Sequence, residues 1–278
     1  MNIQELLGWI AYLGKKIGPR FSAQKRYNIA HRLARLSRAV CPLPWKAVAD
    51  NLAVITAATG QPSDVGRVFE NFSNTVVDFL FPDDVHIRME GRESAEEILR
   101  QGFGALILTT HLGHWELGGK VLSDWGWPVT AIYQPYRSKI LRRFFQEERA
   151  PHLSYLMVGQ GAALGASKVL KDKKILAMLG DRPFGETGLP VRMFGQEIRL
   201  PKGPYLLAAR HRTPILPAFV IRTARGQYLG RIEKPLWPEG TSPEKIADLA
   251  QKAARVMERT IGQYPEQWFR FDRVWERA

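Results

Sequence analysis

Short apolar runs that alternate with amphipathic segments are the sequence feature that most constrains the fold. The runs lie at residues 104–109, 129–133, 155–158, 175–179 and 215–221. Runs this short and this apolar are typical of strands that are covered on both faces of a sheet. Segments with helical patterns separate them, at 138–149, 161–170 and 203–211. The alternation predicts an α/β fold with a mixed, mostly parallel sheet flanked by helices.

The first hundred residues have a different pattern and are predicted to be mostly helical. Helices are expected from Ser22, which is a good N-cap, to Val40, then at 45–59 and at 64–81, and Pro42 and Pro44 should stop the first of them. Residues 228–232 are expected to add an edge strand, and 242–261 a long closing helix. We therefore expect a single domain over 1–278, in which a helical part (1–100) packs on an α/β part (101–278).

The net charge points to anionic partners. The 278 residues include 40 Lys and Arg against 27 Asp and Glu, a formal charge of +13. Such a surplus favours nucleic acid, acidic lipid headgroups or an acidic carrier protein, although an inert basic surface has the same composition. The basic residues are spread along the chain and match no nucleic-acid-binding motif. We therefore expect no nucleic-acid partner, and a nucleic-acid-binding protein is the alternative from a different functional class.

The sequence favours contact with a membrane surface and not a membrane span. No apolar run approaches the roughly 20 residues that cross a bilayer. Near the N-terminus, Ile3, Leu6, Leu7, Ile10 and Leu13 have helical spacing, with Trp9 and Tyr12 among them and Lys15 and Lys16 behind. This pattern is typical of a helix in the membrane interface and equally of a helix packed on its own domain. In the next helix, Arg32, Arg35 and Arg38 lie beside an apolar stripe and are candidates for headgroup contact.

Metal and thiol chemistry have little support. Cys41 is the only cysteine, so no intramolecular disulfide and no cysteine metal cage can form. His111, His114 and Glu116 are close enough in sequence to suggest a metal hydrolase, but no obvious third distant ligand stands out among the other histidines. We expect no metal and no bound cofactor.

The segment 106–119 carries the strongest chemical signal. An apolar strand ends just before His111, and Glu116 follows five residues later. Open α/β sheets bind ligands at the carboxyl ends of their strands, which places His111 well. The two side chains can meet if His111 lies in the turn and Glu116 in the first helical turns, with Gly113 supplying conformational freedom. Glu116 would then orient the imidazole, and His111 would act as a general base.

Several motifs together resemble one known family. They are the pattern His-x4-Glu at 111–116 after an apolar strand, an Asp-containing segment at 179–185, a run through 194–217, the ending Tyr-Pro-Glu-Gln-Trp at 264–268, and Asn51-Leu52 in the N-terminal helices. In this order they resemble the lysophospholipid acyltransferase superfamily, and within it the branch of bacterial lipid A (lauroyl and myristoyl) acyltransferases. The resemblance covers roughly residues 40 to 275.

The resemblance implies transfer of an acyl group from a thioester, on acyl carrier protein or coenzyme A, to a hydroxyl of a lipid acceptor. His111 and Glu116 inherit the roles of base and orienting carboxylate. Predicted substrate-binding residues are Arg149, Asp181, Arg182, Lys202 and Gly203. Backbone amides at 180–185 or 200–203 are the two candidates for stabilising the oxyanion, and the sequence does not choose between them.

The expected location is the cytoplasmic face of a bacterial inner membrane, with peripheral or monotopic attachment. The chain departs from the resembled branch in two places: its N-terminus has only an amphipathic segment, and Arg182-Pro183 follows Asp181 where that branch usually has polar residues. Both departures concern the acceptor and not the chemistry. Acceptors other than lipid A, including mannosylated phosphoinositides and lyso-ornithine lipids, therefore stay open.

Overall fold

A computed structural model of the protein describes residues 3–135, 138–148, 153–159, 161–183 and 188–275. The α-helices are α1 (Ile3–Ile17), α2 (Ala23–Val40), α3 (Pro42–Thr59), α4 (Val65–Leu80), α5 (Arg92–Arg100), α6 (Trp115–Asp124), α7 (Lys139–Glu148), α8 (Ala162–Lys171), α9 (Gly203–His211) and α10 (Pro243–Gln263). The strands are β1 (His86–Glu90), β2 (Ala105–Thr109), β3 (Val129–Tyr133), β4 (Ser154–Met157), β5 (Ile175–Leu179), β6 (Leu189–Met193), β7 (Gln196–Leu200), β8 (Ile215–Ala224) and β9 (Gln227–Ile232).

The N-terminal helices begin where their capping residues predict. The Ser22 hydroxyl accepts from the Lys25 amide at the start of α2, and the Asp64 carboxylate accepts from the Arg67 amide at the start of α4. Pro42 does not merely stop α2. It occupies the first turn of α3, where proline is favoured because no amide there needs a helical partner. Helix α3 therefore starts three residues earlier than expected, and only Cys41 separates it from α2.

The seven-stranded sheet has the order β1-β9-β8-β2-β5-β3-β4. Neighbouring strands pair in parallel, except for the antiparallel pair β8 and β9. This confirms the predicted α/β class with a mixed, mostly parallel sheet. Among the described helices, none has the length and apolar character that crossing a membrane requires.

Two features of the sheet differ from the prediction. Residues 227–232 do not form an edge strand, because β1 pairs with the outer side of β9. Strand β1 and helix α5 were not predicted, since β1 is only half-buried and has no continuous apolar run. The hairpin of β6 and β7 was also not predicted, and it forms a separate two-stranded sheet.

Both faces of the sheet are covered, and strand β2 shows how. Leu106 and Leu108 are fully buried on the face that packs with α3, α8, α9 and α10. The alternate residues Ala105 and Ile107 are buried on the other face with α5 and α6. Successive side chains of a strand point to opposite faces, so a strand covered on both sides must be apolar throughout. In β2 the apolar run therefore ends at Leu108, and polar residues follow from Thr109 to His111.

Candidate active site

His111 lies at the carboxyl end of β2, in the turn that leads into α6. The turn is fixed by backbone hydrogen bonds from the Phe269 amide to the His111 carbonyl (2.7 Å) and from the Gly113 amide to the Gln267 carbonyl (2.9 Å). Gly113 has a φ of +63°, and a Cβ there would lie 1.8 Å from the Val220 carbonyl oxygen. Only glycine fits both conditions, so the predicted need for freedom at this position is confirmed.

Asp181 holds the His111 ring. Its Oδ1 lies 2.8 Å from His111 Nδ1, and its Oδ2 accepts from the His111 amide at 3.1 Å. The register of the sheet explains the meeting. Thr109 of β2 pairs with Leu179 of β5 in a parallel ladder, and each functional residue lies two positions beyond its strand. Parallel strands end at the same edge, so the two turns converge there.

The Asp181 carboxylate is buried, with 3% of its side chain exposed, and it is held by several donors. Trp268 Nε1 donates to Oδ2 at 2.9 Å, and the Arg270 guanidinium donates to the Asp181 carbonyl. Burial alone would raise the pKa of this carboxyl. Contact with His111 and Arg270 and the hydrogen bond from Trp268 outweigh that effect and hold the pKa well below its usual range. Asp181 is therefore an anion at neutral pH.

This arrangement fixes the chemistry of the imidazole. An ionised carboxylate accepts hydrogen bonds only, so the proton of neutral His111 resides on Nδ1 and faces Asp181. Nε2 then carries the lone pair and is the basic nitrogen. The His111 side chain is 23% exposed and its ring lies 5.2 Å from that of Trp115.

The structure changes the predicted partner of His111. Asp181, for which the resemblance implied substrate binding, occupies Nδ1 of the ring, the orienting position that the sequence assigned to Glu116. Glu116 lies in the first turn of α6, as the spacing required, and is half-buried. Its catalytic role stays a prediction. The sequence contained the signal for Asp181, an acidic residue just after a buried strand, but strand order is needed to know that β5 adjoins β2.

His114 has a structural role. Its Nδ1 accepts from the Leu117 amide at 3.2 Å and thereby caps α6. The side chain is buried, and burial lowers its pKa from 6.5 to about 3. Among the described residues, no group of three or more His, Cys, Asp or Glu is arranged to hold a metal ion. His114 is thus the capping residue of α6.

The pKa of His114 makes stability depend on pH. The unfolded chain takes up the proton more readily than the fold does, so this contribution to stability is complete above pH 6.5 and is lost as the pH falls towards 3. His114→Asn keeps a capping acceptor but does not titrate. We expect the unfolding free energy of the variant to fall less steeply on acidification, by up to about 1.4 kcal/mol per pH unit. Urea titrations from pH 7 to pH 4 measure this, with exposed His86→Asn as the control that should follow the parent chain.

Three of the remaining predicted substrate-binding residues, Arg182, Lys202 and Gly203, lie at the same edge of the sheet. Arg182 is exposed next to Asp181 and forms an ion pair with Asp272 at 3.7 Å. Lys202 is exposed and precedes Gly203, the first residue of α9. Helix α9 returns the chain to β8, which runs parallel to β2, so the N-terminus of α9 lies at the carboxyl edge where His111 is found. Arg149 lies outside the described residues.

The C-terminal segment supplies residues that the sequence did not assign to the site. Trp268 and Arg270 both contact Asp181, and Leu112 forms a β-bridge with Trp268. Asn51 clamps this segment: its side chain donates to the carbonyls of Arg270 and Asp272 and accepts from the Val274 amide. The motifs at 51–52 and 264–268 were recognised only as resemblance. In the structure, Asn51 holds the C-terminal segment in place, and that segment contacts both the turn at His111 and Asp181.

Comparison with known proteins shows the family of this chain. Residues 19–277 match the family described as bacterial lipid A biosynthesis acyltransferase. The chain belongs to this family. It is 23% identical over 191 residues to a phosphatidylinositol mannoside acyltransferase of Mycobacterium tuberculosis H37Rv, covering 66% of this chain and 58% of the relative. The protein of the same name from Mycolicibacterium smegmatis is 24% identical over 182 residues, covering 64% of this chain and 58% of the relative. The chain thus spans somewhat more than half the length of these curated relatives.

Proposed function

We propose that this protein transfers a fatty acyl group from a thioester to a hydroxyl group of a lipid or glycolipid. The observation that carries the proposal is the imidazole of His111, held at Nδ1 by the buried Asp181 carboxylate while 23% of the His111 side chain is exposed to solvent. Membership of the lipid A acyltransferase family supports acyl transfer as the reaction class. The donor is acyl carrier protein or coenzyme A, both of which carry the acyl group as a thioester.

The proposed reaction is a direct attack. Nε2 of His111 takes the proton of the acceptor hydroxyl as its oxygen attacks the thioester carbonyl carbon. The tetrahedral intermediate collapses with cleavage of the carbon–sulfur bond. The departing sulfur takes the proton from the imidazolium, so the products are an ester and a free thiol, and His111 is returned to its neutral form. Asp181 stabilises the imidazolium between these two steps because its charge faces Nδ1.

The developing oxyanion requires hydrogen-bond donors, and two neighbouring segments supply backbone amides. One follows Asp181 in the turn after β5, and the other is the N-terminus of α9, where amides without helical partners carry a partial positive charge. Lys202 and Arg182 add positive charge at this edge and are proposed to attract the phosphate groups of the acyl donor or the acceptor. Glu116 is proposed to act on the substrate side of His111.

The proposed location is the cytoplasmic face of the bacterial inner membrane, with peripheral attachment. The formal charge of +13 favours an anionic lipid surface and an acidic carrier protein. Lipid A precursors, mannosylated phosphoinositides and lyso-ornithine lipids are the acceptor classes to test. The names of the curated relatives favour inclusion of the phosphoinositide class.

A transfer assay tests the proposal. Purified protein is incubated with long-chain acyl carrier protein or acyl-coenzyme A and with each acceptor class in turn, and both the ester and the released thiol are measured. We expect one ester per thiol with at least one acceptor. Lipid mass spectrometry of cells with and without the gene identifies the natural acceptor from the species that disappears. Hydrolysis of donors without ester formation, whatever acceptor is supplied, would contradict the proposal.

Glu116→Gln separates a chemical role from a binding role for this residue. We expect kcat to fall about 100-fold while the KM for the acceptor changes little, because a residue that assists proton transfer acts mainly on the chemical step. Steady-state kinetics at saturating donor measure the two constants. Glu93→Gln, in the first turn of α5, is the control and should leave both constants unchanged.

A further inference from the structure

The apolar stripe of α2 faces outward. Ile29, Leu33, Leu36 and Val40 are spaced 4, 3 and 4 residues apart and lie on one side of the helix, with exposed fractions of 42%, 44%, 65% and 76%. Leu43, three residues further on at the start of α3, is 79% exposed. Single exposed apolar residues are common, but a full stripe along a helix usually marks a contact surface.

The opposite side of α2 already makes the contacts that attach the helix to the fold. Tyr27 is buried and donates to Asp78 of α4, His31 bonds to Asn74 at 2.7 Å, and Arg35 pairs with Glu70 at 2.8 Å. A polar side packed inward and an apolar side turned outward is the reverse of an ordinary surface helix. Burial within this chain therefore does not account for the stripe.

Positive charge is concentrated in the same part of the chain. Residues 1–46 contain nine Lys and Arg and one acidic residue, a net charge of +8 out of +13 for the whole chain. On α2, Lys25 and Arg32 are exposed and lie beside the stripe. Helix α1 has the same character, since Trp9 and Leu13 are about half exposed and Lys16 is exposed. Apolar residues bordered by cations fit the headgroup boundary of an anionic bilayer.

A row of aromatic rings connects this surface to the active site. Centroid distances between successive rings are 4.1 to 6.3 Å along the series His111, Trp115, Phe269, Phe72, Phe271, Phe69, Trp45. Trp45 ends the row and donates to Ser37 of α2 at 3.0 Å. Leu43 and Phe271 line one open groove between the start of α3 and the C-terminal segment. The outward stripe and the row to His111 therefore meet at the junction of α2 and α3.

We propose that the stripe of α2 together with Leu43, here called the α2–α3 face, docks into an anionic phospholipid bilayer. The face rests on the proposed function in one respect: docking would bring the groove lined by Leu43 and Phe271 to the bilayer that holds the lipid substrates of the proposed reaction. Lys25 and Arg32 are the cations of α2 that meet the headgroups.

Vesicle flotation tests the apolar part of the face. The triple variant Leu36→Gln, Val40→Gln, Leu43→Gln alters exposed side chains only and should keep the melting temperature of the parent chain. We expect its partition onto phosphatidylcholine vesicles containing phosphatidylglycerol to fall by at least about tenfold, since three inserted side chains are lost. The single variant Leu43→Gln has a matched control in Leu164→Gln, because Leu164 of α8 is 78% exposed. Leu164→Gln should bind like the parent chain.

Two double variants that remove the same charge at different places test whether the cations of α2 contribute to membrane binding. Lys25→Gln with Arg32→Gln should weaken binding to anionic vesicles about 30-fold at low salt, from about 1 kcal/mol per cation. Lys171→Gln with Lys174→Gln removes the same charge at the amino end of β5, away from the face, and should change binding much less. If both double variants weaken vesicle binding equally, net charge alone attracts the protein to the vesicles, and the assignment of binding to the α2–α3 face is wrong.

Two further outcomes decide the matter. If the triple variant binds vesicles like the parent chain, the proposal is wrong. If the parent chain binds no vesicles and forms a dimer that the triple variant abolishes, a second copy of the chain occupies the face and the proposal is again wrong. Transfer is measured in parallel with short-chain, water-soluble donor and acceptor, for which docking is unnecessary. If the parent chain docks through this face but catalyses no transfer, the proposed function is wrong and the proposal of membrane docking is still supported.

Discussion

His111→Gln is expected to lower the rate of acyl transfer about 100- to 10,000-fold, the range in which a general base contributes. Glutamine has similar length and polarity but cannot accept the proton of the attacking hydroxyl at neutral pH. The 23% exposure of His111 implies a small structural cost. Single-turnover measurements with a water-soluble thioester isolate the chemical step from lipid binding.

Two control measurements on the same variant test whether it keeps its fold and its binding to membranes. Melting temperature and vesicle partition should match those of the parent chain, since neither depends on the basic nitrogen. His86→Asn, an exposed histidine on the edge strand β1, provides a catalytic control that should transfer normally. Near-normal transfer by His111→Gln would remove His111 from the mechanism, and with it the proposed direct attack.

Asp181→Asn is expected to reduce transfer about 100- to 1,000-fold and to change the pH dependence. The amide keeps the size of the side chain and can still accept from Trp268. It carries no charge to stabilise the imidazolium, and its NH2 group allows the wrong ring nitrogen to be protonated. Without that charge His111 loses its proton more easily, so the acid limb of the pH profile of kcat/KM should move to lower pH.

The shift of the pH profile distinguishes orientation from general damage. A variant that merely loosened the fold would lower the rate at every pH without moving the acid limb. Glu116→Gln provides the comparison between the two carboxylates. If Glu116→Gln moves the acid limb and Asp181→Asn does not, then Glu116 is the group that stabilises the imidazolium in the working enzyme. The hydrogen bond at Nδ1 predicts the opposite result.

The predictable part of the fold is the part governed by local pattern. The apolar runs at 129–133 and 175–179 became β3 and β5 with no change of bounds, because a strand buried on both faces has few alternatives. Ser22 and Asp64 marked helix starts for an equally local reason, since each caps an amide three residues away. Strand β1 was not predicted because it is only partly buried and therefore has no continuous apolar run, and it forms a strand by pairing with β9.

In the candidate active site, too, the features set by local sequence were predictable and those set by distant contacts were not. The position of His111 after an apolar strand and before a helix was local, and the sequence placed it correctly. Its Nδ1 partner was not local. Glu116 is five residues away in sequence, whereas Asp181 is seventy residues away and reaches His111 through the pairing of β2 with β5. The outward direction of the α2 stripe was equally hidden, because periodicity reveals which residues share a face but not what that face meets.

The sequence by itself determined the class of fold, the position of His111 just after β2 and the family to which the chain belongs. These follow from short-range periodicity, capping and motifs, whose physics acts over a few residues. Tertiary structure decided which carboxylate contacts Nδ1 of His111, which C-terminal residues contact Asp181, and which apolar stripe of α2 faces outward. Those outcomes depend on strand order and helix packing, where residues far apart in the chain compete for the same neighbours.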